Sequence, residues 1–327
     1  LKRMPKIEEV NRLIEVLESI GIKVEWKGHD LLITPPQKIN LKTINAVSAK
    51  RTRSIIMFIG SLMHFFPHFS IPQSGGCKLG SRTIYPHLFA LKEFGVDIKT
   101  TEDAFVVTSR KLHKANIIMM EAGDTATVNA ILGAAKIPST TTIRYASANY
   151  QVQEVCNFLL TLGVRIEGVG TSTLTITGVK DINEPITYTV SEDPTDSMFF
   201  LTSAILTNSS ITITRCPIEF LELELATLRE MHFKYSLSTP YVSHNGKTKL
   251  VDIKTFPSRL VAPLDKIHPL PYPGLNIDNL PFFAVIATQA RGQTLIHDWV
   301  YEKRALYYTE LDRLGASTVL ADPHRFF

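Results

Sequence analysis

Apolar positions fall along this chain in two interleaved patterns. The first is an amphipathic helical run, marked at its start by Val10, Leu13, Ile14, Val16 and Leu17, that ends on a glycine and gives way to short alternating stretches. Its ends read Ser19-Ile20-Gly21-Ile22-Lys23-Val24, Glu93-Phe94-Gly95-Val96-Asp97-Ile98 and Thr161-Leu162-Gly163-Val164-Arg165-Ile166. A glycine at that point supplies the left-handed residue that stops a helix, and the alternation after it predicts a half-buried strand. A partner strand follows each time: Leu31-Leu32-Ile33-Thr34, Phe105-Val106-Val107-Thr108 and Leu174-Thr175-Ile176-Thr177. Met231-His232-Phe233-Lys234-Tyr235 repeats the motif without its glycine, and Arg313-Leu314-Gly315-Ala316 restores it.

The second pattern is a helix of small and apolar residues followed by a short strand. It occurs at 130–146 (AILGAAKIPSTTTIRYA), 199–215 (FFLTSAILTNSSITITR) and 282–298 (FFAVIATQARGQTLIHD), with a cruder copy at 55–71. Helices apolar nearly all round belong inside, with sheets outside them, which inverts the usual α/β arrangement. The same two patterns also fit a generic α+β protein, because a helix followed by a hairpin is common. The polar stretch 180–189, with Asn183, Glu184 and Pro185, reads as a linker between the first three units and the rest. The chain opens on Leu1 directly into a helical pattern and stops on the uncapped Pro323-His324-Arg325-Phe326-Phe327, so it is expected to be truncated at both ends.

Composition narrows the class without choosing a function. With 327 residues, 44% hydrophobic and 20% charged, the chain is neither disordered nor collagen-like and has length for two domains. A net charge of +4 is too small to argue for a nucleic-acid surface, though it suits a pocket that gathers small anions. The longest apolar stretch, 55–66, contains Gly60, Ser61 and His64 and is too short for a membrane span. Cys77, Cys156 and Cys216 are an odd number scattered over the chain, so a disulfide framework is not expected; with no signal peptide visible, a cytoplasmic location is.

The candidate chemistry concentrates in Ser74-Gly75-Gly76-Cys77-Lys78-Leu79-Gly80-Ser81-Arg82. The glycines allow close approach of a ligand to the backbone, and a cysteine beside Lys78 and Arg82 is placed for reaction. A phosphate-binding P-loop is disfavoured because Gly80 is followed by Ser81-Arg82 rather than Lys-Ser/Thr. A plain buried cysteine on a turn is the competing reading. His64 and His68 have metal-ligand spacing, but Pro67 breaks the helix that would align them. Tyr307-Tyr308 reads as helix packing before it reads as an aromatic platform.

The cysteine loop, His87 and the helix end at 91–96 resemble the active loop of the enolpyruvyl transferases, specifically the UDP-N-acetylglucosamine 1-carboxyvinyltransferase family. The likeness continues through Ala126-Thr127-Val128-Asn129, Asn157-Phe158-Leu159, Pro273-Gly274 with Asp278, Tyr301-Glu302-Lys303-Arg304 and Leu314-Gly315-Ala316, in order along nearly the whole chain. The resemblance implies an inside-out α/β fold of six barrel-like repeats in two domains, here 1–188 with the cysteine loop and 189–327, incomplete. It implies transfer of the enolpyruvyl group of phosphoenolpyruvate to the 3′-hydroxyl of UDP-N-acetylglucosamine with release of phosphate, the first step of peptidoglycan precursor synthesis. No cofactor or metal is implied, the partners are those two small molecules, and neither nucleic acid nor a membrane is among them.

By matched position Cys77 is the proton donor to the methylene carbon, Asp278 the base at the sugar hydroxyl, and Arg82 a cation for phosphoenolpyruvate. Arg53, Thr83, Tyr85, Val300 and Arg304 fall at further substrate-binding positions. A guanidinium suits carboxylate and phosphate because it offers parallel donors. Without the resemblance, Asp278 after Asn276-Ile277 reads as a turn residue and each arginine as a solvated one. Cys77 carries a tension, since an acid must hold its proton while neighbouring cations favour the thiolate.

The chain departs from the family pattern at several positions. Tyr85 stands for an acidic residue, Glu121 for a lysine, Gly123-Asp124-Thr125 for Ser-Val-Gly, Ala148-Asn149-Tyr150-Gln151 for Arg-Glu-Pro-Glu, and Pro194 for an arginine. The family's first-unit Lys-Asn pair and a late arginine fall outside the sequence. The expectation is retained chemistry at the cysteine loop with altered recognition of the nucleotide sugar; the alternative is a non-catalytic or altered-acceptor relative acting as a nucleotide-sugar binding or interaction protein.

Overall fold

The computed structural model describes residues 1–73, 83–301 and 303–327. Cys77, Arg82 and Glu302 lie outside the described residues. The chain is a mixed α/β protein of two compact units, which part between Val190 and Ser191.

The first unit opens with the helix Glu8–Ser19. Glu8 and Glu9 favour its positive N-terminal end, Arg12 pairs with Glu8 and Glu15 on the outer face, and Val16 is buried on the inner one. The strands Lys23–Lys27 and Asp30–Thr34 then form an antiparallel hairpin with Trp26 opposite Leu31. A three-stranded antiparallel sheet places Ala104–Ser109 between His68–Pro72 and Val96–Thr100. A four-stranded sheet runs Asn116–Ile118, Thr140–Arg144, Thr173–Thr177, Arg165–Glu167, with its first pair parallel and the others antiparallel.

The helix Asp124–Ala134 lies at the centre of this unit, starting six residues before the apolar run at 130 that predicted it. Ala126 through Ile131, Gly133 and Ala134 are all buried. Gly133 permits the packing: a Cβ there would come within 3.1 Å of Met63 and Phe94 and 3.4 Å of Leu91. Ile131, Phe94, Leu91 and Ile59 are fully or almost fully buried around it, each contributing roughly 1.5–3 kcal/mol of apolar burial. The segment expected as a cruder copy at 55–71 is broken into the 3₁₀ turn Arg53–Met57, the short helix Phe58–Leu62 and the strand His68–Pro72.

The second unit begins at the helix Pro194–Leu206, with Asp193 as its cap accepting the Thr195 N–H at 2.8 Å and Pro194 at its first turn, where a missing N–H costs nothing. Its sheet pairs Lys249–Phe256 with Thr212–Pro217 on one side and with Lys234–Leu237 and Tyr241–Val242 on the other. The helices Glu222–Glu230 and Leu280–Ala287 contribute Leu225, Leu228, Leu280, Phe283 and Ile286 to its core. Burial all round, expected for the apolar helix after Asp193, holds only in part: Met198, Leu201 and Ile205 are buried, but Phe199 and Phe200 are 53% and 50% exposed. Composition alone cannot say which faces of a helix its neighbours cover.

The five predicted helix stops share one backbone feature. Gly21, Gly95, Gly163 and Gly315 have φ of +98°, +88°, +86° and +89°, and His232, where the glycine is missing, has φ of +67°. The left-handed turn is therefore kept even where a side chain makes it costly.

Candidate active site

Arg53 begins its 3₁₀ turn behind the Thr52 cap, and its Nη2 donates to the Thr83 carbonyl at 3.1 Å. The Thr83 hydroxyl oxygen accepts the Tyr85 N–H at 3.1 Å, starting the helix Tyr85–Lys92, and the exposed Tyr85 ring tilts against Phe89. Three predicted positions, Arg53, Thr83 and Tyr85, are thus brought together.

Beneath them lies a buried polar relay that the sequence reading did not assign. Asn129, fully buried in the central helix, accepts the Gly60 N–H at 2.9 Å and donates to the Ile56 carbonyl at 3.1 Å and to His87 Nδ1 at 3.2 Å. That donation makes His87 Nδ1 an acceptor, so the neutral ring carries its proton on Nε2, 3.4 Å from the Thr125 hydroxyl. Burial pushes His87 down to about 4, and the Arg53 charge adds to the effect. His87 thus stays neutral beside Arg53, and one asparagine ties the 3₁₀ turn, the short helix after it and the His87 helix to the core. The available signal was an asparagine set directly before the apolar run that starts at Ala130.

At the opening of that central helix, Asp124 accepts hydrogen bonds from the Ser147 hydroxyl and from Asn149 Nδ2, the latter at 3.0 Å. Burial raises its pKa, and those two donors oppose the shift. The departures from the family pattern at 123–125 and 148–151 are therefore in direct contact.

In the second unit, Asp278 lies exposed in a turn ahead of the helix Leu280–Ala287, with its N–H donated to Asn276 Oδ1 at 2.9 Å. Arg304 is 6% exposed; its Nη2 donates to the Ile277 carbonyl at 3.0 Å, its Nε pairs with Asp298, and its guanidinium lies 4.5 Å from the centre of the Tyr301 ring. Asp298 is fully buried and also accepts the Tyr308 hydroxyl at 3.1 Å. The structure thus brings Asp278 and Arg304 together through Ile277, and of the predicted tyrosine pair it packs Tyr308 inside while Tyr307 is exposed. Val300 is exposed in the bend after Trp299.

His64 reaches the Leu132 carbonyl at 3.4 Å and His68 the Thr108 hydroxyl at 3.1 Å, on separate elements. Among the described residues no three His, Cys, Asp or Glu side chains are grouped to hold a metal ion, and no helix is long and apolar enough to cross a membrane.

The architecture has solved counterparts. The enolpyruvyl transferase NikO from Streptomyces tendae superposes with a TM-score of 0.80 at 21% identity, over 98% of this chain and 74% of that one. The UDP-N-acetylglucosamine 1-carboxyvinyltransferase of Treponema denticola is 31% identical over 99% of this chain and 75% of its own length, and that of Porphyromonas gingivalis is 29% identical over the same shares. The family described as EPSP synthase (3-phosphoshikimate 1-carboxyvinyltransferase) matches residues 1–323, and the chain belongs to it. It is a transferase of the enolpyruvyl (carboxyvinyl) class.

Proposed function

We propose that this protein transfers the enolpyruvyl group of phosphoenolpyruvate to the 3′-hydroxyl of UDP-N-acetylglucosamine. Asp278 takes the hydroxyl proton as the oxygen attacks C2 of phosphoenolpyruvate, and Cys77 delivers a proton to C3, giving a tetrahedral adduct. Loss of phosphate with removal of a C3 proton then restores the double bond in the product. Arg53 and Arg82 supply positive charge to the carboxylate and phosphate, with Thr83, Tyr85 and Val300 beside the substrates, while Arg304, its charge met by Asp298, acts on the site through the Ile277 carbonyl it holds. The observation that carries the reading is the match in order to relatives bearing that name, over 99% of this chain at 31% identity. An exposed Asp278 in the turn ahead of a helix, with its N–H fixed by the Asn276 side chain, supports its role as a base that meets substrate.

A second acceptor is favoured by one feature. Asp124, fixed by Ser147 and Asn149, puts a carboxylate at the start of the central helix, where an anionic ligand would otherwise be welcome, and Glu121 replaces a lysine close by. Phosphate release from phosphoenolpyruvate, measured with UDP-N-acetylglucosamine and with a panel of uncharged and singly charged sugar and nucleoside alcohols, separates the two. Turnover with the nucleotide sugar at least as good as with the panel supports the first reading; turnover with a panel member alone supports the second.

A further inference from the structure

We infer that Glu224 is a positioning residue for the reaction: it fixes the turn that presents Asp278. The inference rests on Asp278 being the base. Glu224 sits on the inner face of the helix Glu222–Glu230, on the same stripe as Leu221, Leu225 and Leu228, and is 2% exposed. Burial raises the Glu224 pKa, and a carboxyl group so deeply buried must be held by hydrogen-bond donors.

The donors found are the two ends of one turn. Glu224 Oε1 accepts the backbone N–H of Asn276 at 3.0 Å and Asn279 Nδ2 at 2.9 Å. Between them Asn276 Oδ1 accepts the Asp278 N–H at 2.9 Å, and the Asn276 carbonyl accepts the Asn279 N–H at 3.0 Å. From the other side Arg304 takes the Ile277 carbonyl at 3.0 Å, itself anchored by Asp298. Every residue of the 276–279 turn is thus tied down, and Asp278 is the one whose side chain projects to the surface. Asn276 is 9% exposed and Asn279 fully buried, so the turn is fixed from within. Apolar packing of the helix would have needed only another leucine at 224; a carboxylate there serves the turn. A base must sit within about 0.5 Å of its productive place, and misplacement by about 1 Å costs on the order of a hundredfold in rate.

The test compares wild type, Glu224→Gln, Glu224→Ala, Asp278→Asn and the double variant Glu224→Ala/Asp278→Asn. Phosphate release from phosphoenolpyruvate and UDP-N-acetylglucosamine is read beside amide hydrogen exchange of the 276–279 segment. Glu224→Ala is expected to lower kcat about 10- to 100-fold with KM for phosphoenolpyruvate nearly unchanged, and to speed exchange at the Asn276 amide about tenfold or more. Glu224→Gln keeps an acceptor oxygen of the same reach and stays within about fivefold of wild type in both readouts. The double variant is no slower than Asp278→Asn, because a turn without its carboxylate has nothing to aim. A double variant slower by the whole Glu224→Ala factor, or Glu224→Ala with wild-type kcat beside an inactive Asp278→Asn, overturns the inference while sparing the base. Wild-type turnover in Asp278→Asn overturns the base and the inference with it. If Glu224→Ala fails to fold, the same cycle built on Glu224→Asp, whose shorter side chain draws the acceptor back from the turn, decides, an additive loss again overturning it. Absence of turnover in the wild type sinks the functional reading alone, and unchanged exchange in the Glu224 variants then sinks the positioning.

Discussion

Replacing His87 by glutamine removes a titrating group whose neutrality the fold enforces. Its imidazole is 3% exposed and accepts from Asn129, and burial, with Arg53 beside it, pushes it down to about 4 against an ordinary value near 6.5. The unfolded chain therefore binds the extra proton first, so stability rises with pH across this range. The contribution is fully present above about pH 6.5 and is lost progressively as pH falls toward 4. Between pH 7 and pH 4.5 it amounts to roughly 2–2.5 kcal/mol, from about 1.4 kcal/mol per unit of displacement. The chain has two tryptophans, Trp26 in the first unit and Trp299 in the second, so urea unfolding followed by fluorescence in a Trp299→Phe background reports on the unit that holds His87. His64, also depressed by burial, titrates in the same direction, so only the difference between wild type and His87→Gln isolates His87. The wild type should lose about 2 kcal/mol more than His87→Gln on acidification. Equal losses, or an imidazole resonance of His87 titrating near 6.5, would refute the reasoning.

Arg304→Ala leaves the fully buried Asp298 without its cation and should cost about 3–5 kcal/mol in the second unit, read by Trp299 fluorescence; a loss below 1 kcal/mol contradicts the burial argument. His232→Gly should stabilise by up to about 1 kcal/mol, since the exposed His232 holds φ +67°. Gly163→Ala, with open space around a Cβ but φ of +86°, should destabilise by about 1 kcal/mol; thermal unfolding that moves both variants the same way would count against the left-handed stop. Under limited alkylation Cys77 should be modified before Cys156, which burial pushes up to about 12, and before the fully buried Cys216; mass mapping that finds either of those first removes the loop from the chemistry.

What could be read from the sequence was local or carried by a full period. The four glycine stops required only the chain on either side, and even His232, lacking the glycine, fell into the motif. The central helix was legible only from Ala130, where the apolar run begins; its opening turns, with Asp124, Thr125, Thr127 and Asn129, were not read as part of it. The site was legible only by likeness of motif, because what makes it a site is long-range. Glu222 and Glu224 look alike in LELELATL; the stripe through Leu221, Leu225 and Leu228 separates them, but nothing local shows that Glu224 meets a turn more than fifty residues on. Asp298 and Arg304 are six apart with no shared element, so their pairing waited on the fold. Periodicity likewise could not foresee that Phe199 and Phe200 face outward, because it records what a helix offers and not what covers it.

The central claim is that the enolpyruvyl group itself is moved intact. Incubating the protein with phosphoenolpyruvate labelled with carbon-13 at C3 and UDP-N-acetylglucosamine, and following the labelled methylene by NMR, tests it most directly. The account predicts a new vinyl-ether methylene signal on the nucleotide sugar, matched mole for mole by phosphate and abolished in Asp278→Asn. Phosphate released with the label recovered as free pyruvate, or a labelled product formed equally fast by Asp278→Asn, would contradict it.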